Sequence, residues 1–430
     1  MTTLDRTETW PETERREAQR SRLLDMGGEI LRGNAFYRRK LGDAGIRDAR
    51  ALVDGWGSVP FTTKAELSAD QDTHPPYGTD LTYPLERYVR LHQTSGTTGR
   101  PLRVLDTAES WAWWRGLWAL IYGAAGVTAA DRVFFAFSFG PFIGFWAAFA
   151  GAEGIGALCI SGAAQTTTER LANIVAAKAT VLLCTPTYAL RLAETARAEG
   201  LDLAHSDLRV AVLAGEPGAS VPATRERIEA GLHLRVVDHT GASEVGATGY
   251  SCDARDGVHL IEREFIAEIR DERTGEVGEE GQGELVITNL GRWGWPVIRY
   301  RTGDLVHAKR ERCACGRTSL KLIGGIAGRA DDMVIVRGVN VYPAAIENVV
   351  RAIRGVAEYR LEAHEERGMT ELRLVVEPEP GIADGIGERV GDALHQALGI
   401  RCAVTLAAPG SLPRFEMKGQ RFVRVDPRQP

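Results

Sequence analysis

Residues 133–137 (VFFAF), 157–160 (ALCI), 181–184 (VLLC) and 210–214 (VAVLA) are four short apolar runs, spaced so that helical stretches fall between them. Runs of this length bounded by helices read as buried strands, and the alternation predicts a parallel sheet with helices on its faces. Before them, residues 14–44 have helical spacing, with Leu23, Leu24, Met26, Ile30 and Leu31 as the apolar positions. In VPFTTKAEL (59–67), Thr62 is the expected N-cap and Lys64 lies near the helix start. Residues 111–125 read as a helix whose Trp111, Trp114 and Trp118 share a face, a pattern that core packing explains.

After Gly257 the texture changes to strands and turns, as in GVHLIEREFIAEIRDERTGEVGEEGQGELVITNL, which predicts a β-rich subdomain. The segment from Asp331 onward holds short strands (LRLVVEP, CAVTLAA) and two helical segments (PAAIENVVRAI, GIGERVGDALHQAL). The expected fold is α/β: a large N-terminal domain, residues 1–330, with parallel sheets flanked by helices plus the β-rich part, and a small mobile α+β C-terminal lid domain, residues 331–430.

The 430 residues are 44% hydrophobic and 25% charged, enough for more than one domain, and the formal net charge of −5 with no long basic block speaks against nucleic acid or an anionic membrane as partner. The polar N-terminus and the lack of a long apolar stretch point to a cytoplasmic protein. The six cysteines suit thiol or metal roles better than a disulfide framework.

Residues 94–101 read TSGTTGRP. Gly96 and Gly99 permit close approach of the backbone to a ligand, and Thr94, Ser95, Thr97 and Thr98 offer donors to phosphate oxygens, with Arg100 adding charge. No Walker A loop is present. In fixed order after it come DHTGASEVG (238–246), IRYRTGDL (298–305), GRADDMVIVRGVNVYPAAIE (328–347) and LPRFEMKGQ (412–420). Together these segments resemble the adenylate-forming superfamily of acyl-CoA synthetases, most closely its phenylacetate-CoA ligase branch, which also carries segments like PFTTK (60–64) and CTPTYAL (184–190).

The resemblance implies ATP-dependent activation of a carboxylic acid to an acyl-adenylate, release of pyrophosphate, and transfer to a thiol. It implies that Thr94, Ser95, Gly96, Thr97, Thr98 and Gly99 cover the β- and γ-phosphates, and that Asp238, His239, Thr240 and Gly241 belong to the ATP site. It further implies that Ser243 contacts phosphate, that Glu244 holds Mg²⁺, and that Asp304 accepts both ribose hydroxyls, with Arg329 nearby. Asp331 matches the hinge, Gly338 the CoA tunnel, and Lys418 the catalytic lysine of the first step. Thr240 departs from the pattern, standing where many relatives carry an aromatic residue on the adenine; Arg100 replaces the commoner lysine.

Cys252, His259, Cys313 and Cys315 form C-x₆-H and a later C-x-C, a donor set suited to tetrahedral structural zinc, the alternative being buried free thiols; some relatives of the branch look similar and carry zinc. Cys159, Cys184 and Cys402 lie in apolar runs and are expected in the core. The segment FFAFSFGPFIGFW (134–146) aligns with the family's acyl-pocket segment. Phe139, Gly140 and Phe142, with Ala214, Gly215, Glu216 and Pro217, are the pocket candidates, and their walls suit an aromatic acid. Glu216 is either structural or a ligand for a polar substituent. The expected acceptor is CoA; a carrier-protein phosphopantetheine or an amine is the alternative, and a non-catalytic nucleotide- or acyl-binding homologue the third. A homodimer is possible, as in relatives.

Overall fold

The computed structural model describes residues 5–94, 101–216, 218–336, 339–366, 369–382, 385–400, 402–415 and 419–425. The N-terminal helices are α1 (Glu12–Gly33), α2 (Ala35–Asp43), α3 (Ala49–Asp54) and α4 (Lys64–Thr73). Asn34 ends α1 and N-caps α2, its side chain accepting from the Tyr37 amide. The cap of α4 is Thr63, not Thr62: Thr63 and Glu66 form a reciprocal capping box. Thr62 is buried, and its hydroxyl is committed to the Ile298 carbonyl at 2.8 Å and Tyr37 at 3.1 Å.

A hairpin of β1 (Tyr88–Gln93) and β2 (Arg103–Thr107) precedes α5 (Ala108–Ala124). The alternating unit follows as β3 (Arg132–Phe135), α6 (Ile143–Gly154), β4 (Leu158–Ser161), α7 (Thr167–Ala176), β5 (Val181–Cys184), α8 (Pro186–Ala198), β6 (Val210–Leu213), α9 (Pro222–Leu232) and β7 (Arg235–Ala242). The strands are parallel in the order β4-β3-β5-β6-β7. Alternate side chains leave a strand on opposite faces. Val133, Phe135, Val181 and Leu183 therefore pack with Trp111, Trp114 and Trp118 of α5, and Phe134, Leu182 and Ala211 with α7, α8 and α9.

The β-rich part comprises β8 (Gly246–Ser251), β9 (Gly257–Leu260), β10 (Phe265–Arg270), β11 (Val277–Gly278), β12 (Gly281–Asn289), β13 (Tyr300–Lys309) and β14 (Lys321–Arg329). It is continuous with the parallel strands in one 12-stranded sheet. The strand β7 makes the join: residues 235–238 pair in parallel with β6, and residues 239–242 pair antiparallel with β8.

The small domain contains β15 (Val334–Val336), β16 (Val339–Val341), α10 (Pro343–Ala352), β17 (Val356–Glu366), β18 (Met369–Pro378), α11 (Ile386–Leu398), β19 (Ala403–Leu406) and β20 (Phe422–Val425). Its four-stranded sheet runs β19-β18-β17-β20, with its own core around Ile346, Val350, Leu374, Val390 and Leu394. Against the large domain, α10 packs on α9 and β14. Among the described residues no helix is long and apolar enough to cross a membrane.

Candidate active site

In an open parallel sheet, loops at the carboxyl ends of the strands form the natural ligand crevice. Here those ends carry Phe137–Phe142 after β3, Thr185–Thr187 after β5, Ala214–Glu216 after β6 and Asp238–Glu244 along β7. The β1–β2 hairpin joins them: Gln93 N–H donates to Pro141 at 2.9 Å, and Thr94 exchanges bonds with Leu102, its amide donating to the Leu102 carbonyl and its hydroxyl accepting from the Leu102 amide, both at 3.0 Å. Ser95, Gly96, Thr97, Thr98, Gly99 and Arg100 lie outside the described residues, as do Pro217, Gly338 and Lys418.

Ser243 and Glu244 occupy the tight turn from β7 to β8, where Gly246 has φ of +130° and Gly241 lies too close to the Gly246 carbonyl to admit a Cβ. Arg292 braces this turn from within. Its Nη1 donates to the carbonyls of Ser243 at 2.7 Å and Glu244 at 3.3 Å, while Nε and Nη2 make a bidentate pair with Asp106, both at 2.7 Å. The guanidinium is fully buried between Trp114 and Trp295, a desolvated setting in which ring faces favour a cation.

Lys64 reaches the same turn, its Nζ 3.3 Å from Glu244 Oε1. The backbone of Thr62 bonds Arg299 and Arg301 around β13, and the Thr63 cap then starts α4 at Lys64, so chain geometry carries the ammonium to Glu244. Beside them, burial first and then Glu244 hold the Tyr300 phenol well above its ordinary value.

Asp304 and Arg329 face each other across β13 and β14. Arg329 Nη1 donates to Asp304 at 3.1 Å and to the Thr302 carbonyl at 3.0 Å, and its Nε and Nη2 hold both oxygens of Asp331 at 3.0 and 3.2 Å. Burial raises Asp304 to about 6 in spite of Arg329. Burial also raises Asp331, but there Arg329 prevails and the net direction is down.

Asp238 is buried and accepts from Ser220, and burial lifts it to about 6. His239 points to the opposite face, 4.6 Å between ring centroids from Trp118, with Nδ1 2.9 Å from the Gly249 carbonyl; burial lowers it to about 4. Thr240 is buried with its hydroxyl 3.1 Å from Thr248. Neither side chain presents an open flat face for adenine.

The aromatic segment folds into one cluster. Phe137 and Phe145 stack at 4.0 Å, Phe139 lies 4.7 Å from Trp146 and 5.5 Å from Phe149, and Phe142 meets Phe145 edge-on at 6.4 Å. Phe135 and Phe137 are buried, whereas Phe139, Gly140 and Phe142 are partly exposed beyond the strand end. Ala214 and Gly215 follow β6, two strands from β3, and put no large side chain at that strand end, Gly215 being exposed. Glu216 does not stand free in that space: its two oxygens accept from Thr187 N and Gly419 N.

Cys252, His259, Cys313 and Cys315 converge, their donor atoms all within 4.8 Å of one another. Strand order explains the meeting, since β8, β9 and β14 are neighbours: Cys252 follows β8, His259 sits on β9, and the two other cysteines lie in the loop before β14. Of the remaining thiols, Cys184 is buried, and Cys159 and Cys402 are only half-buried.

The sequence reading overlooked Arg292, Asp106, Tyr300 and Ser220, and saw Lys64 only as a helix residue. Lys64 had a signal, its place in PFTTK; Arg292 and Asp106 had none, because they meet only across 186 residues of chain.

Residues 63–291 match the AMP-binding enzyme family, and residues 338–428 match the AMP-binding enzyme C-terminal domain. A phenylacetate-coenzyme A ligase of Thermus thermophilus is 34% identical, the match covering 97% of each chain. One of Escherichia coli is 33% identical over 98% of this chain and 97% of its own. The crystal structure of 2-hydroxyisobutyryl-CoA ligase in the postadenylation state with 2-HIB-AMP superposes with a TM-score of 0.91 at 30% identity, covering 98% of this chain and 91% of that one. The same ligase in the thioesterification state, with CoA, gives 0.73 at 31% identity, covering 97% and 91%. The arrangement of the whole chain therefore resembles the postadenylation state more than the thioesterification state. The braced Ser-Glu turn, the matched domains and the near full-length relatives place the chain in the AMP-binding, adenylate-forming enzyme family, in the phenylacetate-CoA ligase-like branch of its AMP-forming CoA ligases.

Proposed function

We propose that this chain activates an aromatic carboxylic acid, aryl or arylacetic, as its acyl-adenylate and passes the acyl group to CoA. The observation that carries the aromatic assignment is the half-exposed pair Phe139 and Phe142, set in a ring cluster at the carboxyl end of β3 beside the base of the TSGTTGRP loop. The names of the two phenylacetate ligases support it. Flat apolar walls gain most from a ring, whose burial adds offset or edge contacts to its area.

In the first step a carboxylate oxygen bonds the α-phosphorus of ATP, the α–β phosphoanhydride bond breaks, and pyrophosphate leaves. In the second the CoA sulfur bonds the acyl carbon, and AMP departs as the thiol proton is given up. Charge on the phosphate oxygens dominates the first barrier, so preorganised donors and cations are the main requirement. Ser243 supplies a hydroxyl on a turn that Arg292 keeps in shape, and Lys64 supplies an ammonium beside it. The Glu244 carboxylate, fixed on the same turn, suits Mg²⁺, which takes oxygen ligands and would neutralise phosphate charge there. We assign Asp304, with Arg329 as its counter-charge, to the ribose diol, and Lys418 to the first step.

The Cys/His cluster we assign to structural zinc. A tetrahedron with Zn–S arms of about 2.3 Å and a Zn–N arm of about 2.0 Å has edges of roughly 3.8 and 3.5 Å. The cluster shows 3.7 Å between the sulfurs of Cys252 and Cys313 and 3.6 Å from Cys315 Sγ to His259 Nε2. Ser319 Oγ lies 3.2 Å from the other ring nitrogen, the outer-shell contact that orients a ligating imidazole.

The test is acid-dependent ATP–pyrophosphate exchange over aromatic, arylacetic and short aliphatic acids, followed by CoA and mass detection of the thioester. Exchange and thioester with a ring-bearing acid are expected. A preference for short aliphatic acids would overturn the aromatic assignment, and exchange without thioester would move the acceptor to a carrier protein or an amine.

A further inference from the structure

Glu216 follows β6 after Gly215, whose φ of +97° belongs to the left-handed region that favours glycine. Its Oε1 accepts the Thr187 N–H at 2.8 Å. Thr187 is in the first turn of α8, where amides have no partner within the helix and the helix dipole favours an anion. Its Oε2 accepts the Gly419 N–H at 2.7 Å. Gly419 belongs to the small domain and directly follows Lys418, so one carboxylate ties the large domain to the backbone beside that lysine.

The surroundings are shaped to the same contact. A Cβ on Gly419 would overlap the Arg421 guanidinium and press on the Thr187 hydroxyl, so a larger residue would have to displace the Arg421 side chain from Thr187. Arg421 Nη1 donates to Thr187 Oγ1 at 3.0 Å, while its other nitrogens are held by Glu358. At the far end of the segment Arg414 bonds Glu194 of α8 at 3.3 Å and Glu377 of its own domain. Arg414 and Arg421 thus both reach α8, and the amide of Gly419, between them in sequence, is taken by Glu216.

We propose that Glu216 is a positioning residue for adenylation: its carboxylate latches the small domain in this orientation and releases Gly419 when the domain turns for thioester formation. The inference rests on the two-step reaction proposed above, and it takes Glu216 out of the acyl pocket. Thr187 stays bonded in either orientation, so only the Gly419 half of the contact changes. An ionised carboxylate can accept both amides, whereas a glutamine that keeps its oxygen on Thr187 turns a donor toward the Gly419 donor.

Glu216→Gln and Glu216→Ala separate latch from pocket and from simple helix capping. Hydrogen exchange in the full chain should quicken at residues 412–421 in both variants, with the core strands β3, β5 and β6 unchanged. In kinetics, kcat of pyrophosphate exchange should fall about 10- to 100-fold, the range expected for one charge-assisted hydrogen bond, with KM for the acid little altered. Thioester formation from supplied acyl-adenylate should be unchanged or faster. Unchanged exchange at 412–421 would overturn the latch, as would equal loss of both half-reactions or a rise in KM for the acid at constant kcat. If the wild type shows no acid-dependent exchange, the acid-activation reading fails, while the amide protection at 412–421 still decides the contact.

Discussion

Asp304 illustrates how one carboxylate can be set for a ligand and be uncomfortable without it. Burial lifts it to about 6 even though Arg329 donates to it, and the same guanidinium also holds both oxygens of Asp331. A raised folded-state value means that the native state holds the proton more tightly. Its contribution to stability is present below the ordinary carboxylate range and is lost as pH rises through about 6. In the role proposed for Asp304, ribose hydroxyls would donate to the ionised form, so nucleotide affinity should fall as pH drops below about 6, by up to roughly tenfold per unit. Calorimetric titration with AMP between pH 5 and 8 checks this, and Asp304→Asn should bind more weakly and flatten the profile. Asp238 titrates in the same range, and a profile that survives in Asp304→Asn would transfer the dependence to Asp238.

At the scale of elements, strand order does what sequence spacing does not. The four residues of the Cys/His cluster are spread over 64 positions, yet β8, β9 and β14 lie side by side, and the turn at Gly316 brings Cys313 and Cys315 onto His259. The same turn is tied to the N-terminus, since Arg317 pairs with Glu8 at 2.8 Å and Thr318 N–H donates to the Glu8 carbonyl at 3.0 Å. Metal analysis of purified protein should give about one zinc per chain. Cys313→Ser should lower the melting temperature by several degrees without abolishing pyrophosphate exchange, a split expected of a structural clamp. Metal-free protein of unchanged stability would dismiss the assignment. The apolar run 133–137 was legible as a strand, which already set Phe139 and Phe142 in the loop after it: Phe135 and Phe137 are buried, while Phe139 and Phe142 lie past the strand end.

At the scale of the whole molecule, the proposed two-step reaction draws on both domains, and on that reading their orientation decides which half-reaction is served. The resemblance to a postadenylation state goes with the contacts that Arg414, Gly419 and Arg421 make to the large domain in the present arrangement. Lys418→Ala should cut pyrophosphate exchange by roughly 10²- to 10³-fold, the usual effect of removing one group that stabilises transition-state charge. Thioester formation from supplied acyl-adenylate should remain largely intact, since the proposal assigns Lys418 to the first step alone. Equal loss of both steps would refute the division of labour.

The ordered motifs and the alternation of apolar runs with helices determined the family, the α/β class and the positions of Ser243, Glu244, Asp304 and Arg329, because these properties are local: periodicity, turn chemistry and short fixed spacings. The N-cap at Thr63 was missed by one residue, since only tertiary contacts with Tyr37 and Ile298 remove the Thr62 hydroxyl from capping. The Arg292–Asp106 brace, the bend of β7 that joins the parallel and antiparallel strands, and the engagement of Glu216 by Gly419 were decided by the tertiary structure alone. Each joins groups distant in sequence, and a buried charge or a paired strand edge shows its partner only after the chain has closed around it.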